Sequence, residues 1–287
     1  MPSTKIIKRR IASVNSTQQI MKAMDLVAAS KLQKAKARLD VIRPLQGNIK
    51  QVMDGIQSSE GLEENAFIEK REVKSIAYIV ITSDRGLCGS YNMNVSKQAL
   101  ALINANAGKR ELIIAVGAKG WEYFKRRGKN VEHKYESAAE ASFYGDAERI
   151  GKLLVSLYTS HEIDEAYIVY THFETILSHD PCVARLLPAG AETGGDNSRN
   201  GQDRMTYDPD VNLFMSYAVP MYLNMFIYGA MVESAVCEQA ARMTSMDAAT
   251  RNAGEIIGDL TLEYNRKRQG LITQEITEIV SGANALQ

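Results

Sequence analysis

The chain has 287 residues with one Trp, 13 Tyr and 6 Phe, and its 34 Lys+Arg balance 34 Asp+Glu to a formal net charge of zero. A neutral chain has no global field to gather nucleic acid or acidic lipid, so any electrostatic role must be local. Three scattered cysteines, Cys88, Cys182 and Cys237, have neither a disulfide-framework nor a metal-ligand spacing, which fits a reducing compartment.

By segment, the zero separates into opposite ends. Residues 1–58 hold 11 basic and 3 acidic side chains, a net of +8. Residues 59–207 hold 18 and 21, a net of −3, and residues 208–287 hold 5 and 10, a net of −5. Such asymmetry predicts ends that pair with each other or face charged partners. The start, Met1-Pro2-Ser3-Thr4-Lys5, lacks the apolar run of a signal peptide. No stretch of about 18 uninterrupted apolar residues occurs, so no membrane span is predicted.

The first element, residues 1–58, carries a seven-residue rhythm. One series is Ile7, Val14, Met21, Ala28, Ala35, Ile42, Ile49 and Ile56; the other is Ile11, Gln18, Asp25, Leu32, Leu39, Gln46 and Met53. Alternating spacings of 4 and 3 predict a coiled-coil seam, because an isolated helix drifts off a 3.5-residue period. Pro44 predicts a local kink. Its many lysines and arginines could face nucleic acid, yet Phe67 is the first aromatic residue. Stacking platforms are therefore missing, and no nucleic-acid partner is expected.

Residues 57–72 read as a polar linker, and residues 73–188 as a largely parallel α/β domain. Short β-branched runs at Ser75–Thr82, Glu111–Val116, Glu165–Thr171 and Val183–Leu187 predict strands. Helical segments at 92–106, 118–127 and 145–160 separate the first three. Thr82-Ser83-Asp84-Arg85-Gly86-Leu87-Cys88-Gly89 sits where such folds bind phosphate, but it has neither a dinucleotide fingerprint nor a P-loop ending. It reads as a tight turn, and Gly117-Ala118-Lys119-Gly120 fails the same tests. The four histidines share no ligand spacing, so no catalytic, cofactor or metal site is predicted.

Residues 189–207 form a second linker. Residues 208–287 then read as one helix with Asp208-Pro209 as its cap and first turn. Its seam is read as Ile227, Ala230, Ser234, Cys237, Ala241, Thr244, Ala248, Gly258, Leu262, Ile272, Ile276, Ile279 and Ala283. Two end helices joined by one compact insertion must lie antiparallel. The fold class is α/β, with a long antiparallel two-helix coiled coil and an inserted Rossmann-like domain. A free-standing coiled-coil adaptor whose α/β domain binds a ligand is the alternative that these patterns leave open.

Ile272-Thr273-Gln274-Glu275-Ile276-Thr277-Glu278-Ile279-Val280-Ser281-Gly282-Ala283 resembles the signature of F-type ATP synthase gamma subunits. Ala241–Thr250, Tyr264–Gln269, Arg10–Val14, Lys22–Lys31 and Ser83–Gly89 resemble the same family, in the same order. The chain lacks the Cys-bearing insertion of the chloroplast relatives, so the resemblance is to the bacterial type. It implies a non-catalytic rotor shaft that couples rotation of a membrane c-ring to ATP synthesis or hydrolysis at beta-subunit sites. It implies one copy per complex, with alpha and beta subunits, an epsilon subunit and the c-ring as partners, at the cytoplasmic face of the plasma membrane. The beta-subunit contacts it implies are Lys22, Met24, Lys31, Arg266, Lys267, Arg268, Gln269, Thr273, Glu275 and Glu278, with Ala283 and Leu286 at a bearing tip. A lysine at Met24 is expected to add charge beside Arg268 and Gln269.

Overall fold

The computed structural model describes residues 4–56, 67–68, 71–135, 143–189 and 211–285. The linker at 189–207, most of that at 57–72, the Asp208-Pro209 cap and Leu286 lie outside these or at their margins. Two helices of unequal length bracket the chain, α1 (Thr4–Ile56) and α5 (Val211–Ala285). Both run through two compact units, Ser30–Ala241 and Met1–Ala29 with Arg242–Gln287. Pro44 and Pro220 fall inside these helices without ending them.

In the larger unit, β1 (Ser75–Ile81), α2 (Tyr91–Ala105), β2 (Arg110–Val116), α3 (Ala118–Lys125), β3 (Val131–Tyr135), α4 (Phe143–Thr159), β4 (Glu165–Phe173) and β5 (His179–Leu187) follow one another. The sheet order is β3-β2-β1-β4-β5, with β5 antiparallel to β4 and the other pairs parallel. β1 is apolar and buried along almost its whole length because both faces of a parallel sheet are covered. One face packs Ile79, Ile114 and Ile168 against α4 residues such as Ile150 and Leu154, and against Val219, Leu223 and Ile227 of α5. The other face packs Tyr78, Val80 and Ile113 against Val95, Ala99 and Phe124.

The strand β3, Val-Glu-His-Lys-Tyr, has no counterpart in the sequence reading. It is an edge strand with alternating half-buried and exposed positions, so its charges hide it among loop residues. β5 begins four residues earlier than expected because the antiparallel hairpin carries Pro181 on the sheet edge.

Every α1 seam residue whose side chain is described, from Ile7 to Met53, is buried or half-buried. The expected α5 seam is not a seam against α1 in its first part: residues 229–241 are buried on every side, and Ser234 and Cys237 meet Thr171 of β4 while Gly229 and Glu233 meet α1. Further on, the expected positions lose their cover. Ala248, Gly258 and Leu262 are exposed, and the covered stripe runs instead through Met246, Ala249, Ala253, Ile257, Leu260 and Tyr264. Small residues around 241–258 give little hydrophobic contrast, so periodicity there did not distinguish one helical face from its neighbour.

Candidate coupling surface

In the smaller unit the helix pairing is fixed by a polar contact. Gln18 Nε2 donates to the Thr250 carbonyl at 3.1 Å, and Gly254 leaves room for the same amide, which a Cβ there would meet at 3.3 Å. In an antiparallel pair with this register, the start of α1 lies opposite residues 264–268. Tyr264 and Lys267 are indeed the last half-buried positions of α5. From Arg268 to Asn284 every residue is exposed, about 25 Å of single helix at about 1.5 Å per residue.

That uncovered end carries most of the residues expected to make contacts. Arg268, Gln269, Thr273, Glu275, Glu278 and Ala283 are all exposed on it, and Arg266 is exposed just before it. Lys267 is half-buried, its Nζ lying 3.3 Å from Glu263, and Glu278 accepts a 2.8 Å bond from Gln274 Nε2. Leu271, Ile272, Ile276, Ile279 and Val280 stand among them with no cover, at 45–71% exposure. Ile272, Ile276 and Ile279 are thus a free apolar face, and the reading of them as seam is corrected: α1 has no residues to reach them. Leu271 and Val280 were not singled out in the sequence. Their signal was an apolar run continuing past the length that α1 can cover.

Lys22 and Met24 are exposed on the outer side of α1, between the seam residues Met21 and Asp25. The Gln18–Thr250 contact puts Met24 opposite residues 244–248, roughly 30 Å along the helix from Arg268. The expectation that Met24 adjoins Arg268 and Gln269 is therefore corrected. Lys31, half-buried, falls in the larger unit.

In the α/β unit the places where a ligand would sit are taken by the chain's own groups. The amide of Ala118, at the start of α3, donates to Asp84 Oδ1 at 2.8 Å, and that of Gly120 donates to Thr82 Oγ1 at 2.8 Å. Gly117, at φ +96°, passes so close to Thr82 that a Cβ would run into its carbonyl. Asp84 and Thr82 thus fill the helix N-terminus that could have cradled a phosphate. Ser83 and Asn92 brace the same loop, with the Asn92 amide also 3.2 Å from the buried Cys88 sulfur.

The crevice at the carboxyl ends of β1 and β4, where strand order reverses, is the ligand site of open α/β sheets. Here α5 occupies it, since the Thr171 amide donates to Ser234 Oγ at 3.4 Å and Cys237 Sγ lies 3.6 Å from the Thr171 carbonyl. Burial, reinforced by the nearby Glu233 charge, pushes the Cys237 thiol far up, away from thiolate chemistry. Among the described residues no group of His, Cys, Asp or Glu is placed to hold a metal ion, and no helix is long and apolar enough to cross a membrane.

A family model described as ATP synthase matches residues 3–286. The ATP synthase gamma chain of Alkaliphilus metalliredigens is 44% identical over 98% of both chains, and that of Desulforamulus reducens is 40% identical over the full length of both. The chain belongs to the ATP synthase gamma chain family. Its role is that family's role, a rotor shaft in a rotary ATP synthase. A relative from Acetobacterium woodii, named as a sodium-ion-specific gamma chain, is 39% identical over 98% of this chain and 97% of that one. The fold is also similar to that of a chain of the Euglena gracilis mitochondrial ATP synthase, with a TM-score of 0.68 at 17% identity, covering 99% of this chain and 94% of that one. A chain of the Tetrahymena thermophila central stalk gives a TM-score of 0.64 at 22% identity, covering 80% and 99%.

Proposed function

We propose that the uncovered end of α5 is where this family member grips the catalytic subunits, and that the chain transmits torque without performing chemistry itself. The observation that carries the reading is the stretch Arg268–Asn284, a helix continued stiffly beyond its partner with both charged and apolar side chains left open. A row of large apolar residues left exposed on one helix marks a surface that another chain covers. In this reading the apolar face from Leu271 to Val280 turns inside a ring of alpha and beta subunits, with Ala283 and Leu286 toward the bearing. Arg268, Gln269, Thr273, Glu275 and Glu278 meet the beta subunits in turn. Met24 makes a separate contact, and the basic Lys22, Lys31, Arg266, Lys267 and Arg268 face acidic beta-subunit loops.

The α/β domain joins the epsilon subunit and the c-ring, and the complex sits at the cytoplasmic face of the bacterial plasma membrane. The filled loops and the plugged crevice support a domain that serves as a coupling body with no bound nucleotide. The reading is tested by reversing charge at Arg266 and Arg268 in the assembled complex. ATP-driven ion pumping per ATP hydrolysed should fall roughly tenfold, as when buried charge contacts at an interface are inverted. Unchanged pumping per ATP in a fully assembled variant would remove these residues from the coupling surface.

A further inference from the structure

The larger unit contains a buried carboxylate that the helix seam does not require. Glu233 lies on the stretch of α5 that is wholly buried, and is itself only 6% exposed. One of its oxygens, Oε1, gathers contacts from two other elements of the fold. Arg43 Nη2, on α1, donates to it at 2.8 Å. His172 Nδ1 and the Phe173 amide, both at the end of β4, approach it at 3.1 Å and 3.3 Å. Arg43 Nη2 closes the triangle by donating to the Phe173 carbonyl at 2.5 Å. A single carboxylate thus joins both long helices to the central sheet.

Small side chains adjoin this carboxylate, beside the larger Met231, Val232 and Val236. Ala230, Ala235, Ala240 and Ala241 supply much of the buried face of α5 nearby, and Gly229 lies so close to Gln46 of α1 that a Cβ would run into its amide. Apolar burial among small side chains is non-directional, so it resists separation far better than it resists sliding or turning about the helix axis. Directional, charge-assisted bonds resist exactly those motions that a shaft would suffer under load, and a buried polar group is best attested as a fixer of register.

Resting on the rotor reading above, we propose that Glu233, with Arg43, His172 and the Phe173 backbone, is the clamp that locks α1 and α5 to the α/β domain, so that torque applied to the domain turns the shaft. Glu233 is a positioning residue in this account. Its loss makes the joint compliant and leaves the catalytic sites in the other subunits intact.

The test uses the complete synthase with its catalytic hexamer immobilised and a bead on the α/β domain, reading the angular spread of the bead during a catalytic pause. Glu233→Gln keeps the shape but removes the carboxylate charge, so Arg43 loses its ion pair and the Phe173 amide meets a neutral acceptor. With such bonds about half as strong, torsional stiffness should fall by up to roughly twofold. ATP hydrolysis without load should stay near that of the parent complex, while pumping against a large ion gradient declines. Arg43→Met should soften the joint in the same way, and Arg43→Lys, which keeps the cation, should restore most of the stiffness. Ile103→Ala, a core truncation on the sheet face away from α5, should leave stiffness unchanged in complexes that assemble.

Parental stiffness in both Glu233→Gln and Arg43→Met would overturn the clamp, as would an equal loss in Ile103→Ala. If Glu233→Gln does not assemble, the half-exposed Arg43 decides through the Met and Lys pair. The underlying rotor reading fails separately, if the bead on the parental complex does not turn at all during ATP hydrolysis.

Discussion

Two stretches of the same helix meet opposite fates. From Gly229 to Ala241, α5 is buried throughout and includes Glu233, Ser234, Glu238 and Gln239; from Arg268 to Asn284 it is exposed throughout and includes five large apolar residues. Residue character alone therefore runs against position, with charges inside at one end and isoleucines outside at the other. Local pairing accounts for part of the first stretch, where Glu233 accepts from Arg43 of α1 and the Phe173 amide of β4, and Ser234 from the Thr171 amide. Among the described residues nothing in its own unit covers the second stretch, and in the proposed reading its apolar face meets another chain. A helix that inverts the usual inside–outside rule at both ends is built to connect.

That comparison can be broken most forcefully at the buried stretch. Met231 is fully buried, so Met231→Ala should destabilise the isolated chain by about 2–5 kcal/mol in denaturant unfolding. Ile276→Ala, at the uncovered end, should change it by no more than about 0.5 kcal/mol while weakening assembly with the catalytic subunits. Equal losses in the free chain would mean that the end of α5 is covered by its own unit after all.

Alkali sharpens the same contrast. The buried Tyr78 phenol is pushed up to about 12 by desolvation, with a side-chain hydrogen bond from Asn106 opposing part of the rise. A raised folded value gives stability that is complete below the unfolded value near 10 and disappears as pH climbs from about 10 to about 12. The sheet should lose on the order of 2 kcal/mol across that window, and Tyr78→Phe should flatten that part of the profile. Helical signal from the exposed end should not follow it. An unaltered alkaline slope in Tyr78→Phe would assign the loss to other groups, such as the buried Tyr91, whose phenol is also pushed up by desolvation.

The glycines give the smallest difference and a difference in sign. Gly229→Leu, facing Gln46, should cost about 1–3 kcal/mol through overpacking. Gly270→Ala meets open space and should stabilise the helix by about 1 kcal/mol, read as slower amide exchange around residue 270. A destabilising Gly270→Ala would reveal a contact at that position.

The heptads of α1 were legible because apolar residues recur at most seam positions, with Gln18, Asp25 and Gln46 as the polar interruptions. The parallel sheet was legible in its β-branched runs. The later seam of α5 was not, because alanine and glycine carry too little contrast to fix a face. Nor was β3, whose Glu132, His133 and Lys134 suit an edge strand and a loop equally well. Glu233 and Arg43 were invisible as a pair, since only the fold brings residues 190 positions apart into one bond. The contact residues proposed for the α5 end come from resemblance to the family alone, and their uncovered setting from the length mismatch between α1 and α5.

The central claim is that this chain is a shaft turned as one piece, and rotation tests it most directly. With the catalytic hexamer of the complete synthase fixed to a surface and a probe on the exposed Lys109 position of the α/β domain, ATP should drive sustained rotation in one direction. Hydrolysis that continues while the domain stands still would contradict the account.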